Sequence, residues 1–440
     1  MQAPLRGPHR APPTRQIVAA IIGNALEWYD FIVYGFLTIV ISKLFFPAES
    51  EYSSLLLTTA TFGVGFFMRP VGGILLGIYA DRKGRKAALQ LIIALMTLSI
   101  ALIAFAPTYA TLGIASPFII VAARMLQGFA TGGEFASSTA FLVESAPPDR
   151  RGLYGSWQMF GQGLAVLGGA AMGAVVTKVL PPDSLDSWGW RVPFMIGLLI
   201  GPVGLWIRRH LEETEAYLQS SGGPQVRNGL GTVLREYRRG ILVSVCLTIC
   251  ATVSFYVVLV YMPTFANKQL HLPLDAAFLA QVIGVICLTI MVPLFGAASD
   301  FIGRKPILVC SMTLYLVLLY PMFHWVYMHP SQLNLILMQI VLCGLLGAFF
   351  GPFSSAMAEQ FPAGIRSTGM AVAYNVAVMV FGGFAQFIVT WLIHVTGSPV
   401  APVFYVIFGA ALGLVGALFV FDPINGEQRG STAEAEELVI

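Results

Sequence analysis

Charged side chains are scarce: Asp, Glu, Lys and Arg together make up 11% of the 440 residues. A water-soluble domain carries about 25%. With 57% hydrophobic residues and a mean hydropathy of +0.77, the chain has too little polar surface for a single soluble core. Its natural solvent is lipid. Cysteine is equally sparse, with five residues at 246, 250, 287, 310 and 343, all in apolar stretches and none spaced C-x-x-C. That excludes a disulfide framework and a thiolate metal site, leaving small apolar packing as their role. No G-x-x-x-x-G-K-[ST] phosphate loop occurs, which removes ATP-driven work by this chain. No nucleophile–base set stands out, so an enzyme is not expected, and neither a cofactor nor a nucleic-acid partner is indicated. The opening MQAPLRGPHRAPPTR lacks the apolar core of a signal peptide.

What the chain does have is a series of apolar stretches long enough to span a bilayer, each about 20 residues. They predict twelve helices near 17–45, 54–80, 87–106, 117–144, 153–178, 191–208, 239–266, 276–298, 306–327, 332–358, 367–395 and 402–421. The expected class is an all-α membrane protein of two pseudo-symmetric six-helix bundles. The expected divisions are an arm at 1–15, bundles at 16–210 and 239–422, a polar linker at 211–238 and an acidic tail at 423–440. Of the 25 Lys and Arg residues, 19 fall on the side of the N-terminal arm, four (Lys43, Lys178, Arg191, Lys268) on the other, and two (Arg69, Arg124) within spans. By the positive-inside rule both termini are then cytoplasmic.

The two halves repeat. Gly77-x-x-x-Asp81-x-x-Gly84-Arg85-Lys86 returns as Gly296-x-x-x-Asp300-x-x-Gly303-Arg304-Lys305, and Glu144-x-x-Pro147-x-x-x-Arg151 returns as Glu359-x-x-Pro362-x-x-x-Arg366. Parallel six-helix repeats with a solute site between them are an established transporter design. Acids beside arginines at helix ends form charge-assisted hydrogen bonds. Here Asp81, Arg82, Glu144, Arg151, Asp300, Arg304, Glu359 and Arg366, with Gly77, Gly84, Arg85 and Gly303, read as a gating latch between bundles. The alternative is that they only anchor helix ends. A latch implies alternating access, which disfavours a channel.

The loop Asp81-Arg82-Lys83-Gly84-Arg85-Lys86 and its second copy resemble the signature of the major facilitator superfamily, and Arg124-x-x-Gln127-Gly128 resembles a second motif of that superfamily. More narrowly, Gly23-Asn24-Ala25-Leu26-Glu27-Trp28-Tyr29-Asp30-Phe31, Met68-Arg69-Pro70-Val71-Gly72, Gly132-Gly133-Glu134 and Trp188-Gly189-Trp190-Arg191-Val192-Pro193-Phe194 resemble the metabolite:proton symporter family. FFPAESEYSSLLLTTATFGVGFFMRPVGG and RRHLEETEAYLQ are most similar to its citrate and tricarballylate carriers. The resemblance implies a monomeric, multi-pass protein of the bacterial inner membrane that imports an organic acid with protons. Other substrates of the family stay open: α-ketoglutarate, shikimate, or a zwitterion such as proline or betaine, as does efflux. An osmosensing member would carry a long C-terminal coiled coil, and only about 18 residues follow the last helix. The chain departs from the family at Phe135-Ala136-Ser137-Ser138, where a second Gly-rich pair is expected. Helix 5 (GQGLAVLGGAAMGAVV) lacks the Gly-Pro motif of antiporters.

Charge at membrane depth costs roughly 2.5–3.5 kcal/mol per residue on insertion scales, so each such residue is a functional candidate. Five lie well inside, all in the first half: Glu27, Asp30, Arg69, Arg124 and Glu134. At 100° per residue, Arg124, Gln127, Thr131 and Glu134 share one face of helix 4. Asn24, Glu27, Phe31 and Tyr34 share one face of helix 1, with Asp30 to its side. Arg69 and Arg124 are the cations able to grip a carboxylate with a planar fork. Asn24, Gln127, Tyr34 and Asn375 are expected as neutral contacts. Asp30, Glu134 and Glu27 are the carboxyl groups for proton coupling. The alternative for each is a structural ion pair, Asp30 with Arg69 for instance. Pro263, near the outer end of helix 7, is a possible hinge, and His324 in helix 9 reads as peripheral.

Overall fold

In lipid every backbone amide must be satisfied internally, and helices are the way this chain does it. The computed structural model describes residues 14–83, 85–132, 134–198, 201, 235–362 and 365–422, without side chains at 14–16, 19–20, 77–78, 80–82 and 85–89. Among these residues seven helices are long and apolar enough to cross a bilayer: α2 (Glu51–Leu76, continuing to Lys83), α5 (Arg151–Val179), α7 (Arg238–Gln269), α8 (Leu274–Ile302), α9 (Arg304–Met328), α10 (Gln332–Ala358) and α11 (Arg366–Thr396). The bent pair Thr14–Phe36 and Thr38–Phe45 forms α1. The remaining spans are α3 (Arg85–Ala104), α4 (Ala115–Ala130, then Glu134–Glu144), α6 (described at 191–198 and Gly201) and α12 (Pro402–Leu418). The arm and linker expected at 1–15 and 211–238 lie outside the described residues save for their last few positions. The tail at 423–440 lies outside entirely.

The pairing of helices repeats with the sequence. In the first bundle α1 packs on α5, and α4 on α2 and α3; in the second α7 packs on α11, and α10 on α8 and α9. The bundles meet along α5 with α8 and along α2 with α11, two contacts that the same repeat relates. Glycine permits the closest of these approaches. A Cβ on Gly72, Gly128 or Gly132 would fall on a carbonyl of the facing helix, so α2 and α4 touch backbone to backbone.

Four helices expected as continuous are bent, broken or interrupted. Helix 1 bends by 63° at Leu37, where the Thr38 hydroxyl bonds the Gly35 carbonyl at 2.7 Å and Gly35 presses on Val260 and Gln386 of the second bundle. Such back-bonding to the helix's own carbonyls bends helices. Helix 4 breaks at Thr131 and Gly132, where Gly132 lies against the Arg69 carbonyl. In α7 a π-helical stretch, Phe255–Tyr261, runs directly into Pro263. Proline has no amide hydrogen and its ring crowds the carbonyl four residues back, so the widened turn sits where the ladder is interrupted. A matching stretch, Val378–Gly382, interrupts α11.

Both ends of the interface are bridged. At the face carrying the basic loops, the second copy of the repeated motif explains its own spacing. Gly296 lets α8 approach Ser156 of α5. One turn later Asp300 accepts hydrogen bonds from the amides of Gly152 and Leu153 (2.7 and 2.9 Å), capping the start of α5 from the other bundle. Gly303 turns the chain at φ +99, which favours glycine. Arg304 then folds back onto Asp300 (2.9 Å) and grips Glu359 with Nε and Nη2 (3.3 and 3.2 Å). Arg366 reaches Glu144 of the first bundle at 2.9 Å. Burial pushes the Glu359 carboxyl above its ordinary range, with Arg304 opposing the shift. Mild acid therefore loosens this pair before it loosens exposed carboxylates. The side chains of Gly77, Asp81, Arg82, Gly84 and Arg85, the first copy, lie outside the description. At the opposite face Lys268 pairs with Glu51, and His394 stacks on Tyr52 with centroids 3.8 Å apart.

The backbone contact between α2 and α4 generates a direct prediction. Gly128→Val should prevent accumulation of folded protein, read as loss of the monodisperse peak in detergent, whereas Gly113→Ala, in open space but at φ +59, should cost about 1–3 kcal/mol of backbone strain and leave the peak in place. A normal peak for Gly128→Val would contradict the packing described.

Candidate functional site

The deep charges divide among three places around α1. A recess between the bundles, about 440 Å³ counting the space at its mouth, is lined by Glu27, Trp28 and Phe31 of α1, Arg69 of α2, Thr131, Glu134 and Phe135 of α4, and Ala371, Tyr374 and Asn375 of α11. It therefore holds one guanidinium, two carboxyls and several aromatic rings. Asn375 donates to the Gly132 carbonyl at 3.1 Å, which ties α11 to the break in α4. Tyr374 stacks on Phe135, with centroids 3.8 Å apart and planes at 6°. Phe135 is the departure from the family's Gly-rich pair, and it forms a wall of the recess shared with the second bundle.

Arg69 is 4% exposed. Its guanidinium lies 4.3 Å from the Phe66 ring, 4.8 Å from Phe31 and 5.3 Å from Trp28. Arg124 is fully buried and does not line the recess. Its guanidinium lies 4.2 Å from Phe31, 4.7 Å from Tyr34 and 4.9 Å from Phe62, and it donates through Nη1 to Gln127. Its Nε and Nη2 have no hydrogen-bond partner. Phe31 is thus shared by both cations. Tyr34 stacks on Phe62 and donates to the Thr58 carbonyl at 3.3 Å. Rings of the second bundle close the cage, since Tyr256 meets both Phe62 and Phe66, and Phe255 meets Trp28.

The single polar face expected on helix 4 is split. Thr131 and Glu134 reach the recess, while Arg124 and Gln127 sit behind Phe31. The angular count assumed a continuous helix, and the break at Thr131 and Gly132 re-aims everything after it. Asn24 lies against Gly161 of α5 rather than in the recess, with neither amide atom hydrogen-bonded. Asp30 faces away as well. It is 3% exposed, its Oδ1 abuts Gly197 of α6, and it borders a second cavity outside α1. Its expected alternative, an ion pair with Arg69, is not formed.

The polar residues of the second bundle mostly bridge helices. Gln339 donates to Gln281 at 2.7 Å and to the Val258 carbonyl at 3.3 Å, and the Thr390 hydroxyl meets that of Tyr261 at 3.3 Å. His324 is exposed on α9, stacked on Tyr320, in keeping with a peripheral place. The aromatic cage was absent from the sequence reading. Its signal is the spacing of Phe62 and Phe66 at i, i+4, and of Trp28, Phe31 and Tyr34 at successive threes, which puts rings on the faces that meet the two arginines.

With this geometry in view, the chain can be set beside known proteins. Residues 16–227 match the profile described as "Sugar (and other) transporter", and residues 279–439 match "Major Facilitator Superfamily". It is 36% identical to the citrate-proton symporter of Klebsiella pneumoniae over 92% of this chain and 91% of that protein. It is 31% identical to the proline/betaine transporter of Escherichia coli (strain K12) over 96% of this chain and 86% of that one. The fold matches a D-xylose-proton symporter with a TM-score of 0.74 at 20% identity, covering 92% and 96% of the two chains. The chain is a multi-pass membrane transport protein and belongs to the major facilitator superfamily. Within it, it falls in the metabolite:proton symporter family.

The ring cage carries a testable consequence. Gln127→Leu strands one more donor of a buried guanidinium, at a cost of about 1.5–3 kcal/mol. The variant should melt at a clearly lower temperature in detergent. An unchanged midpoint would mean that Gln127 does not support Arg124.

Proposed function

We propose that this protein is a proton-coupled symporter that imports a small organic acid across the bacterial inner membrane, with citrate or a related tricarboxylate as the first substrate class. The observation that carries the reading is Arg69, a buried guanidinium on the wall of a recess whose other side belongs to the second bundle. A carboxylate bound there meets a planar, bidentate partner, and contacts from Asn375 and Tyr374 couple its arrival to the second bundle. Arg124, with Gln127 and Tyr34 around it, is a second cation that opening of the Phe31 and Phe62 rings would expose. Asn24 stands nearby at the α5 side. Asp30, Glu134 and Glu27 are the carboxyls available to the coupled proton. The 36% identity to citrate-proton symporters supports the substrate class.

Alternating access follows from the two closures. The basic face, cytoplasmic by the positive-inside rule, is held by Asp300 on α5 and by Arg366 on Glu144. The opposite face is held by the rim pair Lys268–Glu51 and the Tyr52–His394 stack. An exposed ion pair of this kind is worth about 0–1 kcal/mol, whereas stranding one partner of a buried pair costs about 3–5 kcal/mol. The ion pair that crosses the basic face, Arg366–Glu144, is half-exposed too, while the side chains of Asp300, Arg304 and Glu359 pair in a buried cluster within the second bundle; with Arg151 these residues form the latch, which reaches the first bundle through Asp300 and Arg366.

A second reading has its own support. The recess sets Glu27 and Glu134 beside one guanidinium, with Trp28 and Tyr374 rings alongside, and an ammonium bearing a carboxylate satisfies all of these. Proline/betaine transporters are relatives at 31% identity. Labelled citrate, proline and betaine offered to proteoliposomes, acidic outside, distinguish the two. Concentrative citrate uptake that a protonophore abolishes is expected, with the apparent affinity weakened at least about tenfold in Arg69→Ala, the loss of one charged hydrogen-bonding partner. Uptake of betaine or proline but not citrate selects the second reading. Accumulation only when the gradient is reversed would overturn import.

A further inference from the structure

Asp30 does not look into the recess where substrate would bind. On α1, Trp28, Phe31 and Tyr34 turn toward the two arginines. Gly23, Leu26, Glu27 and Asp30 border a second cavity, whose other walls are Ile92, Ile93, Met96, Thr97 and Ile100 of α3 and Gly201 of α6. This lateral cavity also encloses about 440 Å³ with its mouth. Asp30 Oδ1 is buried at its head without a hydrogen-bond partner. Gly197 makes the room, because a Cβ there would collide with that oxygen. Among the described lining residues Thr97 supplies the hydroxyl; its hydrogen is donated to the Ile93 carbonyl at 2.8 Å, leaving its lone pairs to the cavity. Among the described residues Glu27 alone lines both cavities.

We propose that the coupled proton reaches Asp30 through this lateral cavity between α1, α3 and α6, and not through the substrate recess. Glu27, on both walls, is the link between proton and substrate. The inference rests on the reading of the protein as a proton symporter. The step is a proton transfer alone: an O–H bond forms on Asp30 Oδ1 as solvent in the cavity gives up a proton, and the reverse returns it. The titratable groups around Asp30 are Glu27 and Tyr29 on its own helix. Tyr29 donates to the Pro193 carbonyl of α6 at 3.2 Å. Among the described residues of α3 and α6 that border the cavity, none titrates. Arg191, at the far end of α6, is engaged with the carbonyls of Ser187 and Ala106. A group that must take up and release a proton without competition from a bound anion is well served by standing on the other side of a helix from the cations that hold the anion.

Two transport modes separate the possibilities in proteoliposomes: substrate counterflow, which needs no net proton movement, and accumulation driven by a pH gradient. Asp30→Asn should keep counterflow and lose accumulation. Ile93→Trp, which fills the cavity, should slow accumulation about tenfold while counterflow stays within about twofold. Thr97→Val, nearly isosteric and safe for folding, should slow accumulation severalfold in the same selective way. If Ile93→Trp loses both modes, Thr97→Val decides. Full-rate accumulation by Thr97→Val and Ile93→Trp, with Asp30→Asn inactive in accumulation, overturns the lateral route and leaves Asp30 as the proton carrier. Accumulation by Asp30→Asn overturns the carrier itself and the route with it. Failure of the wild type to accumulate any carboxylate or zwitterion overturns the symport reading instead.

Discussion

Two guanidinium groups at membrane depth share one phenyl ring, that of Phe31, at 4.8 and 4.2 Å. Burying like charges this close is costly, and the first bundle is organised around meeting that cost. Six aromatic contacts, from Trp28, Phe31, Phe66, Tyr34 and Phe62, offer the negative faces of their rings to the two cations. Each such contact is worth up to about 2 kcal/mol once desolvated. The rings in turn decide how the bundles meet, since Tyr256 and Phe255 of α7 pack onto the same set. Only glycine at 65, 72, 128 and 132 lets α2 and α4 approach closely enough to hold Arg69 and Arg124 on either side of that cluster. An anion that draws Arg69 away from its rings therefore disturbs the surface on which the second bundle rests. In the proposed transport cycle this packing is what links substrate binding to bundle movement.

Helix α1 is the partition of the site. One side carries the rings that hold the cations; another carries Asp30, pressed toward Gly197 and the lateral cavity. The second bundle contributes Ala371, Tyr374 and Asn375 to the recess, none of them charged. On the proposed reading the deep charges of the first bundle carry the chemistry, and the second bundle responds to it. The closures follow the same economy. The buried cluster around Arg304 is internal to the second bundle and offers Asp300 to the amides of α5, while a largely exposed ion pair holds the opposite rim.

Much of this was legible in the sequence because lipid is an exacting solvent. It forces apolar runs, confines basic residues to one side, and makes each deep charge conspicuous, so the spans, the repeat and the five deep charges, four of them buried and Glu134 half-buried, could all be read directly. The spacing of the repeated motif was legible too, and Gly296, Asp300, Gly303 and Arg304 account for it residue by residue. What could not be read was which deep charges share a space. Counting 100° per residue put Arg124 and Glu134 on one face, but the turn at Thr131 and Gly132 separates them. The alternative of an Asp30–Arg69 ion pair is not realised, because the neighbour of Asp30 Oδ1 is Gly197, a residue with no side chain to announce the contact. The ring cage escaped because aromatic residues in an apolar helix look like packing until the cations they face are known.

The central claim is that proton and substrate move together in the same direction. Proteoliposomes with no imposed gradient, given substrate on the outside in a weakly buffered medium, test it most directly through a pH electrode. The account predicts that the medium turns alkaline in step with uptake, and that Asp30→Asn abolishes the pH change. Uptake without any pH change, or with acidification of the medium, would contradict it.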